Sequence, residues 1–481
     1  MSNKFSLNVF HAVKWTSIGT VLGASFQVIY SAIMSRLLEP EAFGLVAMAG
    51  VVLSFGSYFS QMGLGLALIQ KDNISTKDIR SVFTSSLLLG MFFTLVIWGL
   101  SPYSMLLFDN PKVTQVIRVM AFSLFINGLF STSLNLLRRN LRFEKLAKIE
   151  ILSFLIAYGV IGIGSGYLGF GVWSLVIASL CNSFFVGIMA YALIRHSIKL
   201  LFKWENYKPL FSFGSKISIT TFQEFFYSKM DVMIIGKMLG ASVLGVYNRA
   251  HLLVYLPSHH VTSVFSRVFF PSYSRLQSNP KLLSKTFLSH ITFMGYIIIP
   301  LCLGIFAGAR EIVGVVLGEN WEDAVGILKV LCIPIALGAI NLPFGIICDS
   351  TANLNKKVIL NFISLFSLII LFYLLRNKGL VGFGYALSIT ETLRFLMYTY
   401  VVNKILPSTN WNLVKAYLPG LLTGLIVCAA ISMLAYLSEN LDIPLTFLLI
   451  IQIITGAVIL LINILFLPPK SLKGVIFNTI S

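Results

Sequence analysis

The residues with the most chemical potential are charged and polar groups set inside long apolar runs. Between about residues 213 and 237, Lys216, Thr220, Glu224, Tyr227 and Asp231 recur at i, i+4, i+8, i+11 and i+15, which is the spacing of one helical face. The next run, about 246–270, carries Arg249 and then His251, Tyr255, His259 and Thr262 at i, i+4, i+8 and i+11. Ionisable groups at membrane depth cost free energy and mark pathways or charge pairs. A polar face on an otherwise apolar helix belongs against water or protein, so Lys216, Glu224, Tyr227, Asp231, Arg249, His251, Tyr255 and His259 are candidate cavity-lining residues. Lys329 joins them as a cation without an obvious local partner, and Arg118 as the cation above a polar face of the fourth apolar run. Glu224 and Asp231 are also candidate ion-coupling groups, because a carboxyl that is charged in one state and neutral in another carries a proton.

Other polar sets read more simply. Ser123, Asn127, Ser131 and Asn135 share one helical face and suit helix–helix contact. Glu391 and Arg394 stand at i, i+3 and form a local salt bridge. Catalytic constellations are missing: there is no GxxxxGK[ST] loop, HExxH or GxSxG. Cys181, Cys302, Cys332, Cys348 and Cys428 fall inside apolar runs without metal-ligand spacing, so they read as small buried hydrophobes. No catalytic residue, cofactor, metal or nucleic-acid partner is expected.

The elements that must position these groups follow from composition. Of 481 residues, 57% are hydrophobic and 11% charged, against about 25% charged in a soluble domain. That excludes a water-soluble domain, a disordered chain and a secreted disulfide scaffold. A bilayer crossing takes about 20 apolar residues, and the apolar runs divide into fourteen. Six lie at about 12–36, 43–69, 80–103, 113–137, 146–168 and 171–195. Six more lie at about 213–237, 246–270, 285–308, 324–349, 357–375 and 380–403, and two close the chain at about 414–437 and 443–467.

The net charge of +18 comes from 36 Lys+Arg against 18 Asp+Glu, and its distribution sets orientation. Loops after even-numbered spans hold clusters such as Arg138, Arg139, Arg142, Lys145 and Lys148. Loops after odd-numbered spans hold only Arg36, Lys112, Lys237, Arg310, Arg376 and Lys378 among the basic residues, and carry acids such as Glu39, Glu41, Asp109, Glu319 and Glu322. By the positive-inside rule both termini are cytoplasmic.

The chain also repeats itself. Arg36-Leu-Leu-Glu-Pro-Glu-Ala-Phe-Gly44-Leu matches Lys237-Met-Leu-Gly-Ala-Ser-Val-Leu-Gly245-Val 201 residues later. Gly169-Phe-Gly171 likewise matches Gly382-Phe-Gly384 after 213 residues. Because six is even, both halves enter the membrane in the same orientation, as parallel repeats. The expected fold is therefore an all-α polytopic membrane protein of about fourteen helices, with two parallel six-helix lobes and two appended helices. Its expected divisions are an N-terminal lobe at 1–205, a C-terminal lobe at 206–404, and spans thirteen and fourteen with a cytoplasmic tail at 405–481.

Several stretches resemble the polysaccharide transporters of the multidrug/oligosaccharidyl-lipid/polysaccharide flippase superfamily, nearest the colanic-acid and teichuronic-acid exporter branch. They are Ser35–Leu45, Gly63–Gln70, Arg138–Glu150, Gly169–Val176, Asp231–Gly240, Leu244–Tyr247 and Phe270–Leu276. The resemblance implies two lobes around a central cavity that opens alternately to either side. It implies a substrate of polyprenyl-pyrophosphate carrying an oligosaccharide repeat unit, flipped from the inner to the outer leaflet of a bacterial cytoplasmic membrane. H+ or Na+ are the candidate coupling ions, and the polysaccharide polymerase or chain-length machinery is a candidate partner besides the membrane lipids. The cationic residues Lys216, Arg249, Arg118 and Lys329 would then face the pyrophosphate or anionic sugars. Two rival functions are an ion-coupled multidrug exporter and a membrane polymerase or ligase of glycan assembly. The appended span pair weighs against the exporter. The short outer loops, the longest at about 309–323, weigh against the enzyme.

Overall fold

A computed structural model describes residues 2–61, 68–69, 71, 74–201, 208–406, 410–439, 441 and 443–466, with the backbone alone for 2–14, 16–18, 59, 61, 208–224, 267–268 and 466. The linker residues 202–207, part of the Gly63–Gln70 stretch and the basic tail with Lys470 and Lys473 lie outside the described residues. The described residues form helices and contain no strand. This is what a bilayer demands of a chain with no closed barrel, since every backbone N–H and C=O must be satisfied within the segment.

In chain order the helices are α1 (Ser2–Leu37), α2 (Pro40–Gln61), α3 (Thr76–Leu100), α4 (Pro111–Arg139), α5 (Phe143–Tyr167), α6 (Val172–Ile194) and α7 (Lys208–Leu276). There follow α8 (Pro280–Ala307), α9 (Asp323–Ser350), α10 (Leu354–Leu375), α11 (Gly379–Ile405), α12 (Asn410–Ser438) and α13 (Leu445–Phe466). Among the described residues, eleven runs are long and apolar enough to cross a membrane. Two of them, Phe225–Leu276 and Leu354–Ile405, are 52 residues long, twice what one crossing needs, and each contains two crossings. The thirteen helices, with α7 divided into two arms at Gly240, are compatible with the about fourteen expected from hydropathy.

The sequence places a loop between spans seven and eight, near residues 237–246. The structure replaces it with one residue. α7 continues through, bent where Gly240 takes φ 82° and ψ 180°, a conformation that costs glycine little for want of a Cβ. Elsewhere the ends are built from ordinary caps. Ser75 opens α3 by accepting the Asp78 N–H at 3.2 Å, while Asp78 accepts the Ser75 N–H at 2.8 Å, a reciprocal capping box.

The chain packs as two compact units, Met1–Asn248 and Arg249–Ser481. In the first, α3 packs on α4, α4 on α6, and α1 on α5. Thr94 of α3 donates to the Ala121 carbonyl where α4 turns. In the second, α8 packs along α12, and α9 and α10 flank α11. Aromatic rings fill its interior: Phe287 meets Phe344 edge-on at 5.1 Å, and Phe269 stacks on His290 at 4.2 Å. Each unit thus buries apolar side chains against other helices while leaving many Leu, Ile and Phe exposed, as lipid-facing surface requires.

Candidate functional site

Of the residues on the first polar face, Lys216 and Glu224 lie outside the described side chains. Tyr227 is half-buried. Asp231 is fully engaged: its carboxylate accepts the Tyr247 hydroxyl at 2.5 Å and its neighbour Val232's N–H at 2.8 Å. Tyr247 is 1% exposed. The bond therefore ties the two arms of α7 together across the Gly240 bend. Sequence reading set these residues on different spans; only the sharpness of the bend brings them together.

The second polar face is well defined. Leu244, Tyr247, Ala250, Val254 and Ser258 are buried on one side of the second arm of α7, residues 241–276. Beside that side runs a stripe that is polar at each position: His251, Tyr255, His259, Thr262 and Ser266. His251 is half-buried, while Tyr255 at 42% and His259 are exposed. Three of these side chains form a ladder. The His251 and Tyr255 rings stack at 5.1 Å and 21°, and the Tyr255 and His259 rings at 5.1 Å and 19°. The Tyr255 hydroxyl and His259 Nδ1 share a hydrogen bond of 3.1 Å. Thr262 donates to the His259 carbonyl at 3.0 Å. Arg249, half-buried, opens the same arm.

The remaining candidates sit elsewhere. Arg118 donates Nε–H to Ser101 Oγ at 2.9 Å and lies 5.2 Å from the Trp98 ring centroid, clasping the end of α3 to α4. Lys329 on α9 lies 5.9 Å from the Phe306 ring of α8. Glu391 and Arg394 pair at 3.3 Å, and Asn341 of α9 donates to the second Glu391 oxygen at 2.8 Å. That network also includes Asn361, which accepts from Arg394 and Tyr398 at 3.4 and 3.3 Å.

Sequence reading found the Glu391–Arg394 pair but not Asn341 or Asn361, which lie on other helices. Among the described residues no cluster of His, Cys, Asp or Glu suits a metal, and the five cysteines are free thiols.

Basic residues also hold loops. Arg139 donates to the carbonyls of Leu68, Ile69 and Lys71. Arg80 donates to those of Lys199 and Leu200 at 2.9 and 2.8 Å. His196, at the start of the same linker, hydrogen-bonds Ser133 at 3.0 Å and packs on Phe83 and Tyr191. Burial keeps its pKa below the usual imidazole value.

Among the described residues the chain is a helical membrane protein with polar stripes on its spans. Its fold is similar to a solved structure of the lipid II flippase MurJ in an inward closed conformation, with TM-score 0.73 and 16% identity, over 95% of this chain and 99% of that one. Residues 33–326 match the family described as polysaccharide biosynthesis protein, and the chain belongs to it. Among relatives, the teichuronic acid biosynthesis protein TuaB of Bacillus subtilis (strain 168) is 23% identical over 89% of this chain and 88% of its own length. The lipopolysaccharide biosynthesis protein WzxC of Escherichia coli (strain K12) is 21% identical, over 82% and 78%.

Proposed function

We propose that this protein is a flippase for polyprenyl-pyrophosphate-linked oligosaccharide repeat units. It moves them from the inner to the outer leaflet of a bacterial cytoplasmic membrane, supplying O-antigen, capsule or exopolysaccharide assembly without covalent chemistry. Membership of a polysaccharide biosynthesis family supports the pathway. The observation that carries the transport reading is the polar stripe from His251 to Ser266 on a membrane-crossing helix, with Tyr255 and His259 exposed and the others half-buried. Lipid does not solvate such a stripe, so it lines a hydrated path.

In this reading the glycan travels along that path while the lipid tail stays in the bilayer. Lobes at 1–205 and 206–404 rock against each other, with 405–481 appended. Lys216, Arg249, Arg118 and Lys329 attract the pyrophosphate or anionic sugars. Glu224 and Asp231 exchange H+ or Na+, and a polymerase or chain-length protein receives the product. Both termini face the cytoplasm, so in a cysteine-free background Glu319→Cys reacts with an impermeant reagent from outside and Arg142→Cys does not. The reverse labelling overturns that orientation.

Deleting the gene should strand lipid-linked repeat units on the inner leaflet and remove surface glycan. Normal surface polysaccharide in a clean deletion without paralogues would overturn the function.

A further inference from the structure

The stacked His251–Tyr255–His259 ladder has a geometry that selects among ligands. Positions four apart on a helix rise by about 6 Å, so the three rings form a column along the span, with Thr262 and Ser266 continuing it. Interplanar angles of 21° and 19° turn the ring faces toward one another. What the column offers to a ligand is therefore mainly ring edges, which carry imidazole nitrogens and the phenol oxygen.

Three ligand classes fit this poorly or well. Acyl chains gain nothing from a row of polar edges. An organic cation seeks the open face of an aromatic ring, and the Tyr255 face has a ring on either side. A pyrophosphate seeks Arg or Lys, and the five positions of the stripe contain neither. A hydroxyl-rich, uncharged ligand matches best, since each edge can donate to or accept from a hydroxyl. The stack and the Tyr255–His259 hydrogen bond also fix the rings beforehand, which lowers the entropy lost on binding.

We propose that the ladder is the oligosaccharide-binding rail of this protein: it holds the sugar hydroxyls, and it takes no part in binding the pyrophosphate or the lipid. The proposal rests on the flippase reading above and assigns one part of the substrate to one helix face. It makes Tyr255 and His259 specificity residues for glycan over bare carrier lipid.

The test uses full-length purified protein in nanodiscs and two probes. One is undecaprenyl pyrophosphate without sugar. The other is the glycolipid fraction that accumulates in a strain deleted for this gene. Wild type should bind the glycolipid about tenfold more tightly, the worth of one to two hydrogen bonds. Tyr255→Phe, which keeps the ring stack, and His259→Ala should bring the two affinities within about twofold, leaving that for undecaprenyl pyrophosphate unchanged. Equal thermal midpoints check that the variants fold, and the conservative Tyr255→Phe decides the matter if His259→Ala does not fold.

Variants that keep the tenfold preference, or a wild type that binds both probes equally, overturn the rail and leave the flippase reading standing. A deletion strain that accumulates no glycolipid, or a wild type that binds neither probe, overturns the flippase reading and the rail with it.

Discussion

Gly44 and Gly245 occupy the same place in the two halves of a repeat, and each abuts the other half's equivalent carbonyl. A Cβ on Gly44 would overlap the carbonyl oxygen of Ala241, and a Cβ on Gly245 would overlap that of Pro40. Pro40 and Ala241 are themselves 201 residues apart, the same separation as Gly44 and Gly245. The start of α2 and the arm of α7 after its bend therefore meet through one reciprocal contact. The nearby ion pairs Lys237–Asp109 and Lys112–Glu41, at 2.8 and 2.9 Å, tie the same helix ends.

This contact is open to a direct test. Gly44→Ala and Gly245→Ala should each destabilise the protein by about 1–3 kcal/mol, the usual cost of overpacking. Because they break one shared contact, the double variant should cost less than the two singles added. Gly50→Ala on the same helix as Gly44 meets nothing within 4 Å and is the control. Thermal unfolding in detergent reads all four, and a Gly44→Ala protein that melts with wild type would remove the contact.

His196 predicts a pH dependence. Its imidazole is 8% exposed, between Phe83 and Tyr191 and hydrogen-bonded to Ser133. Burial disfavours its protonated form and lowers its pKa. In the unfolded chain the group titrates near the reference value of about 6.5. Between the folded value and that one, the unfolded state binds more protons, so stability rises with pH. The His196 contribution is complete above about pH 6.5 and is lost as pH falls toward the folded value. Comparing melting at pH 7 and pH 5, His196→Gln should lose less on acidification than wild type. Equal losses would show that His196 does not titrate in this environment.

How much of this was legible in the sequence depends on distance along the chain. The fourteen crossings follow from runs of about 20 apolar residues, and the Glu391–Arg394 pair follows from i, i+3 spacing. The His251–Tyr255–His259 face follows from a period of 3.6, although its stacking does not. The repeat motif was visible too, but periodicity holds no sign that Gly44 meets Ala241. Arg118 illustrates the same limit. The sequence sets it above the Ser123–Asn135 face and gives no sign of Ser101 and Trp98, which lie 17 and 20 residues upstream, beyond the turn that returns the chain. Asn341 and Asn361 escape notice for the same reason: an amide partner on another helix has no fixed spacing.

The Glu391 network should be costly to break from one side. The Arg394 and Glu391 side chains are only 18% and 11% exposed, and removing one member of a buried pair leaves the other charge uncompensated, at about 3–5 kcal/mol. Glu391→Ala should therefore destabilise strongly. Replacing Glu391 and Arg394 together by Met should recover most of that loss, because no charge is stranded. Thermal or denaturant unfolding of the single and double variants decides. A double variant as unstable as Glu391→Ala would mean that packing, not charge, dominates there.

Asp231 offers a sharper test because its two proposed roles differ in one atom. Its carboxylate accepts the Tyr247 hydroxyl across the Gly240 bend, which is a structural task. As a coupling group it must also bind and release H+ or Na+ during transport. Tyr247→Phe removes the hydroxyl and should cost about 1.5–3 kcal/mol, the worth of a hydrogen bond to a charged group, whichever role holds. Asp231→Asn keeps a carbonyl oxygen to accept from Tyr247 but has no carboxylate with which to bind H+ or Na+. If Asp231 couples transport to a gradient, the Asn variant folds and still moves substrate downhill, but no longer responds when the H+ or Na+ gradient is collapsed. An Asp231→Asn protein whose transport keeps the wild-type gradient dependence would leave Asp231 as the tie across the bend and nothing more.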